Sequence, residues 1–387
     1  MVTRKEKNNQ VVVIGGGIAG CSVAEQLNHF NITVHIIEKD NDIGGHVRDL
    51  GCKATDVCMR CNVCVADEIF RSVRKLPNVF IHTNSELLDI RHGKHGNRYA
   101  VDFISSEVKK GENSKIKGGG SDAGTNIPLT VSKTGVKTID ADAIVVAIGF
   151  EPYHPLENSS YGYRNVSNVI TGIEAEQQLA SRHKIVRPSD SEIPKRVAFI
   201  QCVGSRTTEI FRCPEDTDYC SVVCCAYALR IARLMKYQTE ESHITVFYMD
   251  IQNFGKGFNE FYKESRKRMR FLRARPYEIK SGSNGSVRIK YTTEGAVRAD
   301  GDSVCEEEFD LAVLAVGMRP PLDGWKLADK LGVPLDEHGF FGLKGADGLP
   351  DMQREGMYAV GANESPKDIT GCIAQARAIS SFIEIIQ

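Results

Sequence analysis

The stretch VVVIGGGIAGCSVAEQL, residues 11–27, restricts the fold more than any other part of the chain. A short apolar run reads as a buried strand, a glycine-rich turn follows, and a helical pattern begins at once. Gly15, Gly17 and Gly20 fall in G-x-G-x-x-G spacing. The first permits the tight turn, the second lets a pyrophosphate approach the backbone, and the third lets the helix lie close to the strand. Free N–H groups at the helix start, reinforced by the helix dipole, then face the phosphates. Many glycine-rich turns bind nothing, so the surroundings decide. Here a second strand, ITVHIIEKD, ends near Glu38, a residue type that accepts hydrogen bonds from an adenosine ribose. KDNDIGGHV then carries Gly44 and Gly45 to the same side. The expectation is a parallel α/β domain that holds a dinucleotide.

With 387 residues there is room for two or three domains around an ample core. Hydrophobic residues make up 41%, charged residues 26%, and the formal charge is −1, so the basic surplus of a nucleic-acid-binding protein is missing. No apolar run approaches the roughly 20 residues that span a bilayer. The N-terminus, MVTRKEKNNQ, is polar, and the apolar stretch behind it is the first strand rather than a signal sequence. A cytoplasmic protein is expected.

In a reducing cytosol, clustered cysteines are metal ligands or redox groups more often than disulfides. Of the twelve here, Cys21, Cys305 and Cys372 are isolated and read as packing residues. The others form two groups. The first follows KRVAFIQ, the strand at 195–201 that should open a second nucleotide-binding unit. The turn behind it holds only Gly204, so a nicotinamide cofactor loses its phosphate cradle. In its place come Cys202 at the strand end, Cys213 in a polar loop, and Cys220, Cys224 and Cys225 at an expected helix start. Positions 220 and 224 would share a helix face. Spacing alone leaves three readings open: a [4Fe–4S] cluster at the helix N-terminus, a packed helix–sheet interface, or a redox-active pair at 224–225.

The second group lies in DLGCKATDVCMRCNVCVADEIF, residues 49–70. Cys58, Cys61 and Cys64 have the C-x-x-C-x-x-C spacing by which a loop wraps a cubane cluster, with Cys52 or a distant residue as fourth ligand. A zinc site shares the spacing. Bare exposed thiols would be an oxidation liability.

Two later segments, AIVVAIGFEP (143–152) and LAVLAVGMRPP (311–321), are alike: an apolar strand ending in Gly, then a Pro-containing turn. The closing GMYAVGANESPKDITGCIAQARAISSFI gives a strand, a loop and a helix. Together these pieces resemble the two-dinucleotide-binding-domain flavoproteins, the thioredoxin-reductase-like family, over nearly the whole chain. That resemblance implies an α/β fold with a Rossmann-type FAD domain split between 1–152 and 319–387. A modified NAD-binding-like domain, 153–318, would be inserted between them and carry the cysteines. The last strand and helix would meet the flavin, the helix near Asp368 aiming its N-terminus there and favouring an anionic reduced ring. The implied FAD set adds Ile18, Ala19, Lys39, His46, Gly149, Gly361, Lys367, Asp368 and Ile369 to Gly15, Gly17, Gly20, Glu38, Gly44 and Gly45. One departure stands out: the family's Gly-Asp after the last strand is Gly361-Ala362, which removes a carboxylate contact to the ribityl chain.

FIQCVGSR, YCSVVCCAYALR, MDIQNFGKGFNEFYKESR and ANESPKDI are together similar to the A subunits of heterodisulfide reductases (the HdrA-like family), from residue 11 to the end. The resemblance implies that Cys202, Cys220, Cys224 and Cys225 ligate an unusual [4Fe–4S] cluster beside non-covalent FAD. The loop from Cys202 to Cys220 is longer than in that family, and Cys213 within it matches no family ligand and reads as a spare thiol or a substitute ligand. The family has fewer cysteines at 52–64, so this group implies a second cluster or a thiol–disulfide station. No full ferredoxin run is present within these residues, as in the short family members of sulfur-oxidising heterodisulfide-reductase-like complexes. The expected role is electron transfer between flavin and cluster, with no catalytic residue assigned. Other complex subunits and a second copy in a homodimer are the expected partners. The rivals are a subunit of a quinone-linked sulfate-reduction complex, an NAD(P)H-dependent disulfide reductase using Cys58 and Cys61, and a scaffold without turnover.

KKGENSKIKGGGSDAGTN (109–126) reads as a hairpin tip or surface insertion. NEFYKESRKRMRFL, after FGKGF, reads as a helix with a basic side, a solvated or docking face rather than a nucleic-acid site. The ten histidines form no H-x-x-H or H-E-x-x-H set.

Overall fold

The computed structural model describes residues 9–93, 98–109, 130–207, 213, 216–252, 255–298, 301–342, 352 and 354–386. The helices among them are α1 (Ile18–His29), α2 (Val63–Val73), α3 (Gly172–Arg182), α4 (Cys224–Gln238), α5 (Phe258–Arg268), α6 (Gly324–Leu331) and α7 (Ile369–Ile386). Two parallel five-stranded sheets organise the chain. The first runs, in spatial order, Met357–Ala359, Ala143–Val146, Gln10–Ile14, Thr33–Ile37, Val79–His82. The second runs Arg270–Arg273, His243–Tyr248, Arg196–Val203, Leu311–Val316, Val169–Thr171.

The central strands are covered on both faces, which is why they are predominantly apolar rather than alternating. Along Gln10–Ile14, Val11 and Val13 pack against α1, α2 and α7, while Val12 and Ile14 face Val101, Phe103 and α6. The second sheet repeats the scheme. Val197 and Phe199 meet α3 and α4, and Ala198 and Ile200 meet Tyr153, Ile279 and Val287. Each parallel sheet thus has helices on one side and a three-stranded antiparallel sheet on the other, Ser85–His92, Tyr99–Lys109 and Thr130–Ala141 (with α6) in the first half and Pro276–Ser281, Val287–Arg298 and Gly301–Phe309 in the second. The chain passes between the halves at Glu151–Pro152 and Met318–Arg319, which pair antiparallel. This is the expected α/β architecture with two dinucleotide-binding-type units, and the late strand Met357–Ala359 returns to the first sheet.

Most of the glycine-rich segment expected to be a hairpin tip, 110–126, lies outside the described residues; its flanking strands Tyr99–Lys109 and Thr130–Ala141 pair antiparallel. No described helix is long and apolar enough to cross a membrane.

Candidate functional site

The glycine turn forms as its spacing demands. Gly15 has φ +104°, and a Cβ there would lie 2.4 Å from the Ala147 carbonyl oxygen. At Gly20 a Cβ would lie 2.0 Å from the Gly15 carbonyl oxygen, so α1 seats on its strand only with glycine. Gly17, just before α1, has nothing within 4 Å of its missing Cβ, which is open space where a phosphate would approach. Buried Glu38, beyond the second strand, accepts from the Gly16 N–H (2.6 Å) and the Asp40 N–H (2.8 Å). Gly44, at φ +128°, donates to the Gly16 carbonyl (2.8 Å), closing a second turn against the first.

In front of these turns lies a cavity of about 210 Å³. Of the predicted cofactor residues, Gly17, Ile18, Ala19, His46, Gly149, Lys367, Asp368 and Ile369 line it. His46 shares a hydrogen bond with the Phe150 carbonyl (2.9 Å). Asp368 accepts from the Gly371 N–H (2.7 Å) and so caps α7 toward the cavity. Lys367 pairs with Glu364. Gly15, Gly20, Glu38, Gly44, Gly45 and Gly361 are outside the lining, and Lys39 is exposed. The open space at Gly17, the buried acid and the two helix N-termini fit the pyrophosphate, ribose and ring of a flavin dinucleotide.

Residues that sequence reading passed over complete the lining. Lys53 and Glu176, 2% and 4% exposed, form an ion pair at 2.6 Å. Burial raises the Glu176 pKa, against the opposing pull of Lys53. Tyr227 and Arg230 reach the cavity from α4, and Arg230 donates to the carbonyl oxygens of Met59 (2.9 Å) and Arg60 (3.2 Å). Both halves of the fold therefore wall the cavity. A lone Lys in a cysteine loop and a Glu on an amphipathic helix carry no sign of meeting in the sequence.

The first cysteine group gathers at the C-terminal end of the second sheet. Its strand bulges between Ile200 and Val203, and Cys202 takes φ +58°, a left-handed conformation that turns its side chain out of the strand alternation. The expected helical spacing of Cys220 and Cys224 is corrected: α4 begins at Cys224, and Cys220 precedes a tight turn with Val222 at φ +51°. That turn is pinned by Ser221, whose hydroxyl accepts from the Met318 N–H (2.8 Å) and lies 2.9 Å from the Ser205 hydroxyl. A side chain at Gly317 would collide with both hydroxyls. Behind the turn, Tyr153 donates to Asp216 (2.8 Å), and Gly204 lies flat on the Tyr153 ring.

Cys202, Cys224 and Cys225 are buried, and each feels Cys220 electrostatically. Burial first, then mutual repulsion, raises their thiol pKa values, that of Cys225 to about 12. A cationic iron core reverses that balance. Next to Cys202, the buried Gln201 amide has no hydrogen-bond partner among the described residues. Four converging thiols, a helix N-terminus and an unsatisfied amide fit an iron–sulfur cluster. Among the described residues, no three His, Cys, Asp or Glu side chains approach closely enough for a single metal ion. Cys213 lies apart, its N–H donating to Asp216 (3.3 Å).

In the second group, Cys52, Cys58 and Cys64 are exposed and Cys61 is half-buried. Cys64 lies in the first turn of α2, and Arg60 and Asn62 have left-handed backbones. Only Cys61 lines the cavity. Asn62 donates to Thr370 (2.7 Å), tying this loop to α7.

Residues 13–79 match the model of an NAD(P)-binding Rossmann-like domain. Over 96% of its length the chain is 33% identical to the second iron-sulfur A subunit of the CoB–CoM heterodisulfide reductase of Methanopyrus kandleri. It is 31% identical over 95% of its length to the A subunit of the H(2):CoB-CoM heterodisulfide,ferredoxin reductase of Methanothermobacter thermautotrophicus. Over nearly its whole length the chain is thus similar to heterodisulfide reductase A subunits. It spans 63% and 62% of those two relatives. Among solved structures, thioredoxin reductase of T. acidophilum matches the chain at TM-score 0.57 and 14% identity, covering 97% of each chain. A NAD-dependent persulfide reductase from A. fulgidus matches at TM-score 0.52 and 17% identity, covering 97% of this chain and 58% of that one. These likenesses place the fold among the two-dinucleotide-binding-domain flavoproteins.

Proposed function

We propose that the chain is an electron-transfer flavoprotein, an oxidoreductase component of a heterodisulfide-reductase-like complex in sulfur metabolism. Gly15, Gly17, Gly20 and Glu38 would hold the dinucleotide part of FAD, and His46, Gly149, Lys367 and α7 the flavin. Cys202, Cys220, Cys224 and Cys225 would hold one [4Fe–4S] cluster, and Cys52, Cys58, Cys61 and Cys64 a second or a thiol station. Residues 1–152 and 319–387 form the FAD domain in this reading, and 153–318 the inserted cluster domain. The observation that carries it is the strand-to-helix junction, where buried Cys202 at the strand end and buried Cys224 and Cys225 at the start of α4 stand in place of a second glycine cradle.

A flavin held there would supply two-electron and one-electron chemistry, and a cluster held by the cysteines one-electron chemistry. The protein's own part is to position and insulate. Gly17 would leave room for the phosphates, the N-terminal end of α7 lines the cavity that would hold the ring, and Tyr227 and Arg230 wall it from α4. The sulfur-oxidising type of complex is favoured over the quinone-linked one because the cysteine loop reaches the cavity at Cys61. A homodimer in the cytoplasm, joined to further subunits, completes the proposal.

The test is iron, sulfide and flavin quantification on protein isolated without oxygen. Cys224→Ala is expected to lose most of the first cluster's iron and keep FAD, and Gly17→Val the reverse. Full iron in the Cys224 variant rejects the ligand set. A second reading, an NAD(P)H-dependent disulfide reductase, draws on the position of Cys61; rapid bleaching of the flavin by NADH alone would favour it.

A further inference from the structure

The cofactor sites leave one strongly charged surface unused. Between residues 256 and 275 the chain carries eight basic residues against two acidic ones, although its overall formal charge is −1. Lys263, Arg266, Lys267 and Arg268 on α5 are exposed. This helix is not remote from the cysteines. The backbone of Gln252, six residues before α5, lies within electrostatic reach of the Cys225 thiol. Gly257, at the start of α5, lies against the Arg60 guanidinium. Arg233 of α4 stacks over Phe261 of α5 at 4.8 Å and sits within electrostatic reach of Asp56 and Arg268. The Cys58 loop, α4 and α5 therefore form one continuous face. Beside the basic helix, Val57 and Val65 are 54% and 40% exposed with the thiols of Cys58 and Cys64, and Asp56, Asp67 and Glu68 are exposed near them, so the positive charge is carried by α5.

We propose that this face is the docking surface for an acidic protein carrying a one-electron centre, and that electrons enter or leave the chain there. A basic helix beside a few exposed apolar side chains and thiols suits a small, short-lived electron-transfer contact. Charge of one sign raises the encounter rate by about 10 to 10³ and makes it fall with salt. The proposal rests on the electron-transfer reading above, and names the side of the molecule on which the partner sits.

The probe is a plant-type [2Fe–2S] ferredoxin, a small acidic carrier. In stopped flow, reduced ferredoxin is mixed anaerobically with the oxidised holoprotein; each ferredoxin is oxidised by one electron, which appears as reduced flavin or cluster. Photoreduced 5-deazariboflavin, small and uncharged, serves as the parallel donor. For Lys263→Glu/Arg266→Glu/Arg268→Glu, we expect the ferredoxin rate constant to fall at least tenfold at low ionic strength while the small donor's rate is unchanged. The wild-type ferredoxin rate should fall steeply with added salt. Lys263→Gln/Arg266→Gln/Arg268→Gln should lie between, and matched flavin and iron contents show that both variants are folded. An unchanged ferredoxin rate in the variant, or a salt-independent one in the wild type, overturns the docking surface. So does a shift in oligomeric state by sedimentation, which would assign the face to a second copy of the chain. Failure of both donors to reduce the wild type removes the electron-transfer reading itself.

Discussion

Lys53 and Glu176 show how much one buried pair can matter. Their mutual attraction at 2.6 Å offsets the cost of removing both charges from water, and Lys53 also donates to the Gly51 carbonyl (2.7 Å). Such a pair adds little net stability over apolar residues of the same size, but breaking it is costly because the survivor stays buried and alone. Lys53→Met is therefore expected to lower unfolding stability by about 3–5 kcal/mol, and Lys53→Met/Glu176→Leu to recover most of it. Denaturant midpoints of the two variants decide the matter. Equal loss in both would mean that the pair is not a unit and that packing of the Lys53 stem carries the effect.

At the scale of elements, the edge strand Val79–His82 is held to its neighbour partly through histidines. The His35 and His82 rings stack at 5.5 Å, with a nitrogen–nitrogen contact of 3.2 Å, between Phe80 and Phe103. Burial, with His82 adding to it, lowers the His35 pKa to about 4; burial and Lys137 lower that of His82. The folded state thus resists protonation that the unfolded chain accepts near pH 6.5, so stability falls as pH drops from about 6.5 toward 4. After allowance for solvent screening, His35 should account for about 2 kcal/mol of that fall. Urea titrations at pH 7 and pH 4.5 should show His35→Phe losing less than wild type by that margin; equal losses would rule the pair out. The neighbouring elements also mark how far the sequence could be read. The strand–glycine–helix unit was readable because each glycine answers a local demand that spacing encodes. The start of α4 was not. A helical period through Cys220, Cys224 and Cys225 looks continuous, but Ser221 is claimed by Met318 and Val222 turns left-handed, so the helix opens four residues late. The bulge that turns Cys202 aside is likewise set by pairing with Leu311–Val316, more than a hundred residues away.

Across the whole molecule, the cavity is the joint. Its walls come from Gly17 and α7 on the first half, from Val223, Tyr227 and Arg230 on the second, and from the Cys58–Cys64 loop that Arg230 grips. The antiparallel ribbon of Glu151–Pro152 and Met318–Arg319 joins the halves, yet each of its strands is only two residues long. A flavin filling that cavity would touch both halves, and its binding energy would be shared between them. FAD at about a hundred times its dissociation constant adds about 2.7 kcal/mol to the state that binds it. Regions that open only when the cavity is disrupted gain protection by that amount. Hydrogen exchange on FAD-loaded and FAD-stripped protein should therefore differ at the glycine turn and, to a similar degree, at residues 59–62 and 223–230. Protection confined to the first sheet would show that the second half contributes shape but no binding energy. In that case Tyr227 and Arg230 would be organised by the cysteine site instead, and Cys224→Ala rather than loss of FAD would loosen the N-terminal turns of α4.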